Sequence, residues 1–268
     1  MKQLLAFVCL AAIAVAGCKK NTALNGSALP SNTFGYLMTD PWDSAANTDN
    51  PADSAGFIHN IALQYVDSMT TASGSGLRSY DTAITFLRRY WGSAFDTTAF
   101  KSEDSYTNVQ NQWSLVNAGQ YSLVISGMSY SSAVKTKLSA LVVTMEDTTH
   151  LPASLPYDSI KSKIVAWEHQ VDTSTTFTAT EKGYLFAHSS IARYSLYYWY
   201  GDFQKQWNAM TPAQQNATTK AHKWWQWLII GVADGLGYAA GATGTAGTPL
   251  GGITGAVALS GLANTLVN

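Results

Sequence analysis

The chain has 268 residues, 12% of them charged and 12% aromatic, with a formal net charge of −1. No basic stripe runs along it, which argues against nucleic acid as a partner, since phosphate recognition depends on clustered Lys and Arg. Its two cysteines, Cys9 and Cys18, both lie near the start, so the rest of the chain forms neither a disulfide nor a cysteine metal site and relies on a buried core. The first element is a leader, residues 1–17. Lys2 supplies a short basic start, the run from Leu4 to Gly17 is uncharged, and small residues close it. That layout is a secretory signal, too short in its apolar part to remain as a membrane span.

The leader ends in "VAGC", which resembles the bacterial lipobox. In that family the peptidase cuts before the cysteine, whose sulfur receives a diacylglycerol and whose amine is then acylated. The resemblance therefore implies lipidation of Cys18. Several acyl chains together anchor durably, because each buried methylene contributes about 0.8 kcal/mol and one chain alone binds only marginally. Lys19 stands where enteric lipoproteins retained at the inner membrane carry an aspartate, so the resemblance points to the outer membrane. Residues 18–49 read as anchor and flexible tether, rich in Ser, Asn, Thr and Gly. Lys19 and Lys20 suit anionic headgroups.

Residues 50–227 read as a body of six or seven amphipathic helices. "NPADSAGFIHNIALQYVDSM" offers Asp53 or Ser54 as N-cap, with Ala55, Ile58, Ala62, Tyr65 and Met69 at helical spacing. A second stripe joins Tyr80, Ile84, Leu87 and Trp91, and a third joins Val109, Trp113 and Val116. From Ser131 a fourth helix sets Val134, Leu138, Leu141, Val142 and Met145 on one face. "HLPASLPYDS" breaks the chain and provides Asp158 as the next cap. Ile160, Ile164, Trp167 and Val171 follow at helical spacing. "DTSTTFTATEKG" reads as a turn into a long helix whose stripe is Tyr184, His188, Ile191, Ser195 and Tyr198. Strand-like alternation is confined to short Thr-rich pieces, and the fold class predicted is all-α.

"NPADSAGFIHN", Glu168 within "IVAWEHQV", "SSIARYSLYYW" and a Gly-rich tail, in that order, resemble an uncharacterised family of bacterial lipoproteins over residues 50 to 268. The resemblance implies an anchored helical protein and no established activity. A fold likeness alone would supply no function.

Candidate chemistries are few. His59, His150, His169, His188 and His222 are scattered without metal-ligand spacing, and His59 and His188 fall on inward faces beside Asn60 and Ser189, as core histidines do. Asp40, Asp43, Asp49 and Asp53 crowd one segment but lack the alternating calcium-loop pattern; capping and turn formation account for them more simply. Glu168 and Glu181 could form an acid–base pair, with nothing in the sequence to fix their separation. No metal or cofactor is expected.

The C-terminal segment, residues 228–268, opens with Gly235, Gly237 and Ala240 at dinucleotide-turn spacing. No acidic residue follows Asp234, so the ribose-binding carboxylate of that motif is missing. Gly231/Gly235, Gly237/Gly241 and Gly251/Gly255 instead stand four apart, leaving on a helix a groove that a second backbone can enter. With a break at Pro249 the segment reads as a glycine-zipper-like helical hairpin, either membrane-associated or packed on the body. Trp224, Trp225 and Trp227 precede it as candidates for a membrane interface. The leading expectation is a lipid-anchored envelope protein without enzymatic activity. The alternatives are a surface module binding glycan, peptide or protein through Tyr/Trp-rich faces, and a hydrolase using the acidic pair.

Overall fold

The computed structural model describes residues 44–70, 118–146 and 157–209, with isolated positions at 82, 85, 86, 88, 111, 112, 114–116, 211 and 235. Among these residues the fold is all-α. Helix α1 spans Asp53–Thr70, α2 Tyr121–Gly127, α3 Ser132–Glu146, α4 Tyr157–Thr173 and α5 Ala179–Ala209.

Helix α5 is the axis of the body. Periodicity predicted one apolar face on it, yet every residue from Leu185 to Leu196 is buried. The reason is that neighbours cover it on several sides: α1 and α4 pack on it most extensively and α3 adds a smaller contact. Its small residues, Ala187, Ser189, Ser190, Ala192 and Ser195, all lie in this buried stretch and let the neighbouring helices come close. The tightest crossing is at Gly56 of α1. A Cβ there would fall 2.5 Å from the Ser190 carbonyl oxygen and 2.7 Å from Ser190 Oγ, and would strike the Tyr194 ring. The same contact carries a hydrogen bond, Gly56 N–H to Ser190 Oγ at 3.1 Å, while that hydroxyl donates to the Asp53 carbonyl at 2.8 Å.

The outer helices follow their stripes more closely. On α3, Val134, Leu138, Leu141, Val142 and Met145 are all buried. On α4, Ile164, Trp167 and Val171 are buried and Ile160 is half-buried. Ile191 is fully covered and Tyr198 half-buried. Phe86 and Val116 are buried, and the Phe86 ring lies 5.3 Å from that of Tyr65. The remaining stripe residues of the second and third sequence helices, among them Ile84, Leu87 and Trp113, lie outside the described residues.

Three local details go beyond the helical stripes or differ from the predicted boundaries. Helix α5 begins five residues before Tyr184, inside the predicted turn, because Thr178 and Glu181 form a capping box: Glu181 N–H donates to Thr178 Oγ1 at 3.2 Å and Thr178 N–H to Glu181 Oε2 at 2.9 Å. Ahead of α2, Gly119 takes φ 69°. It closes the preceding helical turn with Gln120 N–H to the Leu115 carbonyl at 2.8 Å and Gly119 N–H to that of Val116 at 2.9 Å, the paired pattern of a Schellman stop. Finally, the body starts before residue 50: Ala45 is fully buried and Asn47 reaches Glu168. Among the described residues no helix is long and apolar enough to cross a membrane.

The Gly56 contact gives a direct test. Gly56→Val is expected to cost at least the roughly 1–3 kcal/mol typical of overpacking, about two to six times the ~0.5 kcal/mol that bounds most surface changes. Gly183→Ala, where a Cβ meets nothing within 4 Å, should be neutral or stabilise by up to about 1 kcal/mol through helix propensity. Urea denaturation midpoints of the two variants check both signs.

Candidate functional site

Arg193 lies at the middle of α5 with no exposed surface, and its guanidinium joins three parts of the chain. Nε and Nη2 donate to Glu168 Oε1 of α4 at 3.3 and 3.2 Å. Nη2 also donates to Asp53 Oδ1 in the first turn of α1 at 2.5 Å, and Nη1 donates to the Ala45 carbonyl. Burial works against the charge, but Glu168 and Asp53 outweigh it and hold the guanidinium above its usual range.

The carboxylates are filled in turn. Glu168 is 2% exposed. Its Oε1 also accepts from Asn50 Nδ2 at 2.6 Å and Ser189 Oγ at 2.7 Å, and its Oε2 accepts from Asn47 Nδ2 at 2.7 Å. Asp53 accepts from Tyr194 Oη at 3.0 Å and from the Asn47 amide at 3.2 Å. Asn50 sits in this cluster because its own Oδ1 takes the Ala52 amide at 2.8 Å, an Asx turn just before Asp53. Asp53 is therefore a tertiary ligand of Arg193 and Tyr194, which corrects its reading as a simple helix cap. As an acid in the first turn it still complements the helix dipole.

Two phenols close the cluster. Tyr157 Oη donates to the Arg193 carbonyl at 2.9 Å, and its ring stands edge-on to Tyr197 at 5.0 Å. Burial is the main cause that drives both Tyr157 and Tyr194 above the ordinary phenol range, with Asp53 adding to it. They stay protonated donors at all physiological pH. The arrangement holds protons in place and clamps three chain segments.

A second buried polar group sits one helical turn away on another face of α5. His188 is fully buried; its Nδ1 meets the Gly235 carbonyl and its Nε2 meets Tyr130 Oη at 3.3 Å. A carbonyl only accepts, so Nδ1 carries the proton and Nε2 accepts from the tyrosine, the one neutral tautomer that satisfies both contacts. Burial pushes the His188 pKa down to about 4, against the raising effect of the Gly235 hydrogen bond. His59, also fully buried, has Nδ1 3.1 Å from Asn60 Oδ1, and Asn60 donates to the Tyr194 carbonyl at 2.8 Å.

The sequence-derived candidates separate in space or fall outside the description. Glu181 is the capping residue of α5 and accepts from Ser131 Oγ at 2.6 Å. Ser189, which holds Glu168, lies about 12 Å further along the same helix axis at 1.5 Å per residue, so the two glutamates serve different local structures. Gly235 is helical and buried against α5, where a Cβ would lie 3.2 Å from Ala192 Cβ and 3.4 Å from the His188 carbonyl. Cys18, Trp224, Trp225, Trp227, Gly231, Gly237, Gly241, Gly251 and Gly255 lie outside the described residues. Arg193, Asn47, Asn50 and Tyr194 were missed from sequence. The available signal was an arginine set among small and apolar residues in "SSIARYS", a position that a solvent-exposed arginine would not occupy on a helix buried all round. Among the described residues no group of His, Cys, Asp or Glu could hold a metal ion. A shallow depression of about 390 Å³ lies between α3 and the α4–α5 turn, lined by Ala133, Thr136, Ala140 and Phe177; none of these belongs to the Arg193 cluster. No protein-family model, curated protein or solved structure matches the chain.

Two outcomes follow from these geometries. Arg193→Met strands two carboxylates and should cost about 3–5 kcal/mol, whereas Arg193→Met with Glu168→Gln should cost clearly less than the two single changes added together; a double-mutant cycle by urea denaturation measures the difference. For His188, the folded pKa lies below the unfolded one, so the unfolded chain binds the proton first. Stability is complete above pH 6.5 and falls as pH drops toward 4, by up to about 3 kcal/mol from this residue. His188→Gln should flatten that fall, read as the pH dependence of the thermal midpoint against the parent.

Proposed function

We propose that the protein is a lipid-anchored lipoprotein of the cell envelope whose helical body serves as a non-catalytic structural or interaction module. The reading rests on "VAGC" ahead of Cys18 at the end of a secretory leader, together with the buried Arg193 cluster. The second is the single structural observation that weighs most. Glu168, the buried member of the candidate Glu168/Glu181 pair, has Asn47, Asn50, Ser189 and Arg193 as donors. That use of its oxygens supports a clamp rather than a proton donor for a substrate. The acyl groups on Cys18 hold the chain at the membrane, the outer membrane on the lipobox resemblance.

A second reading, a surface binding module, is favoured by one observation. Tyr197 and Tyr200 stand one turn apart on α5, half-buried over Tyr157, with ring centroids 5.0 and 6.4 Å from it. Aromatic faces held this way can stack on a sugar or a peptide side chain.

The anchor is tested by Cys18→Ala. The variant is expected to lose palmitate incorporation in metabolic labelling and to leave the membrane fraction or accumulate unprocessed. Equal labelling of variant and parent would overturn the lipoprotein reading.

A further inference from the structure

We propose that the depression between α3 and the α4–α5 turn is a binding site for a small amphipathic carboxylate, its apolar body against Phe177, Ala133 and Ala140 and its carboxyl group on Lys137. Ala133, Lys137 and Ala140 stand four and three residues apart on α3, so one face of that helix carries all three. Thr176 and Phe177 of the turn form the facing wall. Hydrogen bonds within the chain fix this wall in place. The Thr176 amide donates to Ser174 Oγ at 3.1 Å, and the Thr178 amide donates to Glu181 Oε2 at 2.9 Å. Phe177 lies between these two held amides, half-buried against the core. The volume of about 390 Å³ falls at the lower end of the range of small-molecule sites.

Lys137 is the one charged residue of the lining, and neither partner of its ammonium is an anion. Nζ donates to Gln170 Oε1 at 2.8 Å and lies 5.0 Å from the centroid of the Trp167 ring. The ring is tied to the same residue, because Trp167 Nε1–H donates to the Lys137 carbonyl at 3.2 Å. The cation is therefore held at the edge of an apolar hollow, with one of its three protons given to a neutral acceptor. Burial lowers the Lys137 pKa below the ordinary lysine range, as expected of a charge that loses water without gaining a counterion. A carboxylate would supply that counterion. One cation beside apolar walls matches a ligand with one negative charge and an apolar remainder. An inorganic anion would leave the walls unused. None of the lining residues belongs to the Arg193 cluster, and the proposal stands apart from the lipid anchor: either can fail without the other.

The test uses the chain from residue 18 onward with Cys18→Ser, titrated with hydrocinnamate and with its neutral amide, hydrocinnamamide. Binding is followed through the indole N–H resonance of Trp167, assigned with Trp167→Phe. Hydrocinnamate should shift this resonance saturably at a roughly millimolar dissociation constant, as suits a ligand of this size in an open site. The amide, equal in shape but uncharged, should bind about tenfold more weakly, the worth of one charge-assisted hydrogen bond. Lys137→Met should weaken the acid about tenfold and leave the amide unchanged. Phe177→Ser should weaken acid and amide alike. Circular dichroism melts confirm that each variant folds, and the comparison of acid with amide on the parent needs no variant at all. The proposal is overturned if the parent binds acid and amide equally, if the acid gives no saturable shift, or if folded Lys137→Met binds the acid as tightly as the parent.

Discussion

The guanidinium of Arg193 is the group on which the body's arrangement depends. Taking it out of water costs several kcal/mol, and that cost is offset only while Glu168, Asp53 and the Ala45 carbonyl are all in place. Each of these lies on a different stretch of chain: the N-terminal turn, α1 and α4. A one-turn slip of α1 against α5 would withdraw Asp53 from Arg193. It would also drive Gly56 off Ser190, where only a glycine fits. A hydrophobic core alone tolerates such slips because apolar contacts are non-directional. Charge-assisted hydrogen bonds, worth roughly twice a neutral one, do not. The Arg193 cluster therefore sets register more than it adds net stability.

This division of labour suits the composition. With neither cysteine in the described body, no covalent cross-link limits its unfolded state. The apolar core supplies the driving force, and the polar cluster selects one packing of it. Asn47 and Asn50 extend the selection backward into the chain that precedes α1, since both donate to Glu168. Lys161 adds to the same edge by donating to the Ser44 carbonyl at 2.6 Å. Burial and the Arg193 charge both pull this lysine below its usual range. Residues 44–49, the described end of the stretch read from sequence as tether, are thus fixed to the body by these polar contacts together with buried Ala45 and half-buried Ala46.

What the sequence disclosed and what it hid follow from the range of each interaction. The stripe on α3 and most of that on α4 were legible because an outer helix buries one face, and burial of one face writes itself as 3.6-residue periodicity. Helix α5 is buried on all sides between Leu185 and Leu196, so its periodicity fades and a stripe understates its core. The capping box of Thr178 and Glu181 was readable from a three-residue spacing. The Thr-rich sequence around it, which also reads as a turn, hides that spacing. The Arg193 cluster could not be read in this way. Asn50 and Glu168 are 118 residues apart and Asp53 and Arg193 are 140 apart, and no local pattern encodes a pairing at that distance. His59 and His188 were placed inward correctly, since an inward position is local information, but the partners of His188, Tyr130 and Gly235, are not.

Gly56 and Gly235 show the same physical device on opposite sides of one helix. In water a glycine inside a helix costs up to about 1 kcal/mol, so each needs a compensating contact. Gly56 gains it by letting the α1 backbone reach Ser190, with the hydroxyl bridging the Gly56 amide and the Asp53 carbonyl. Gly235 gains it by seating on Ala192 and giving its carbonyl to a histidine that burial keeps neutral. In both places a polar side chain of α5 receives a main-chain group exposed by the missing side chain. The glycine content that could suggest a membrane-seeking segment is, at the position seen in contact, used for close packing in a hydrogen-bonded interior. His188, whose Nδ1 meets the Gly235 carbonyl, has Tyr130 Oη at its second ring nitrogen, so both of its ring nitrogens are used in this interior.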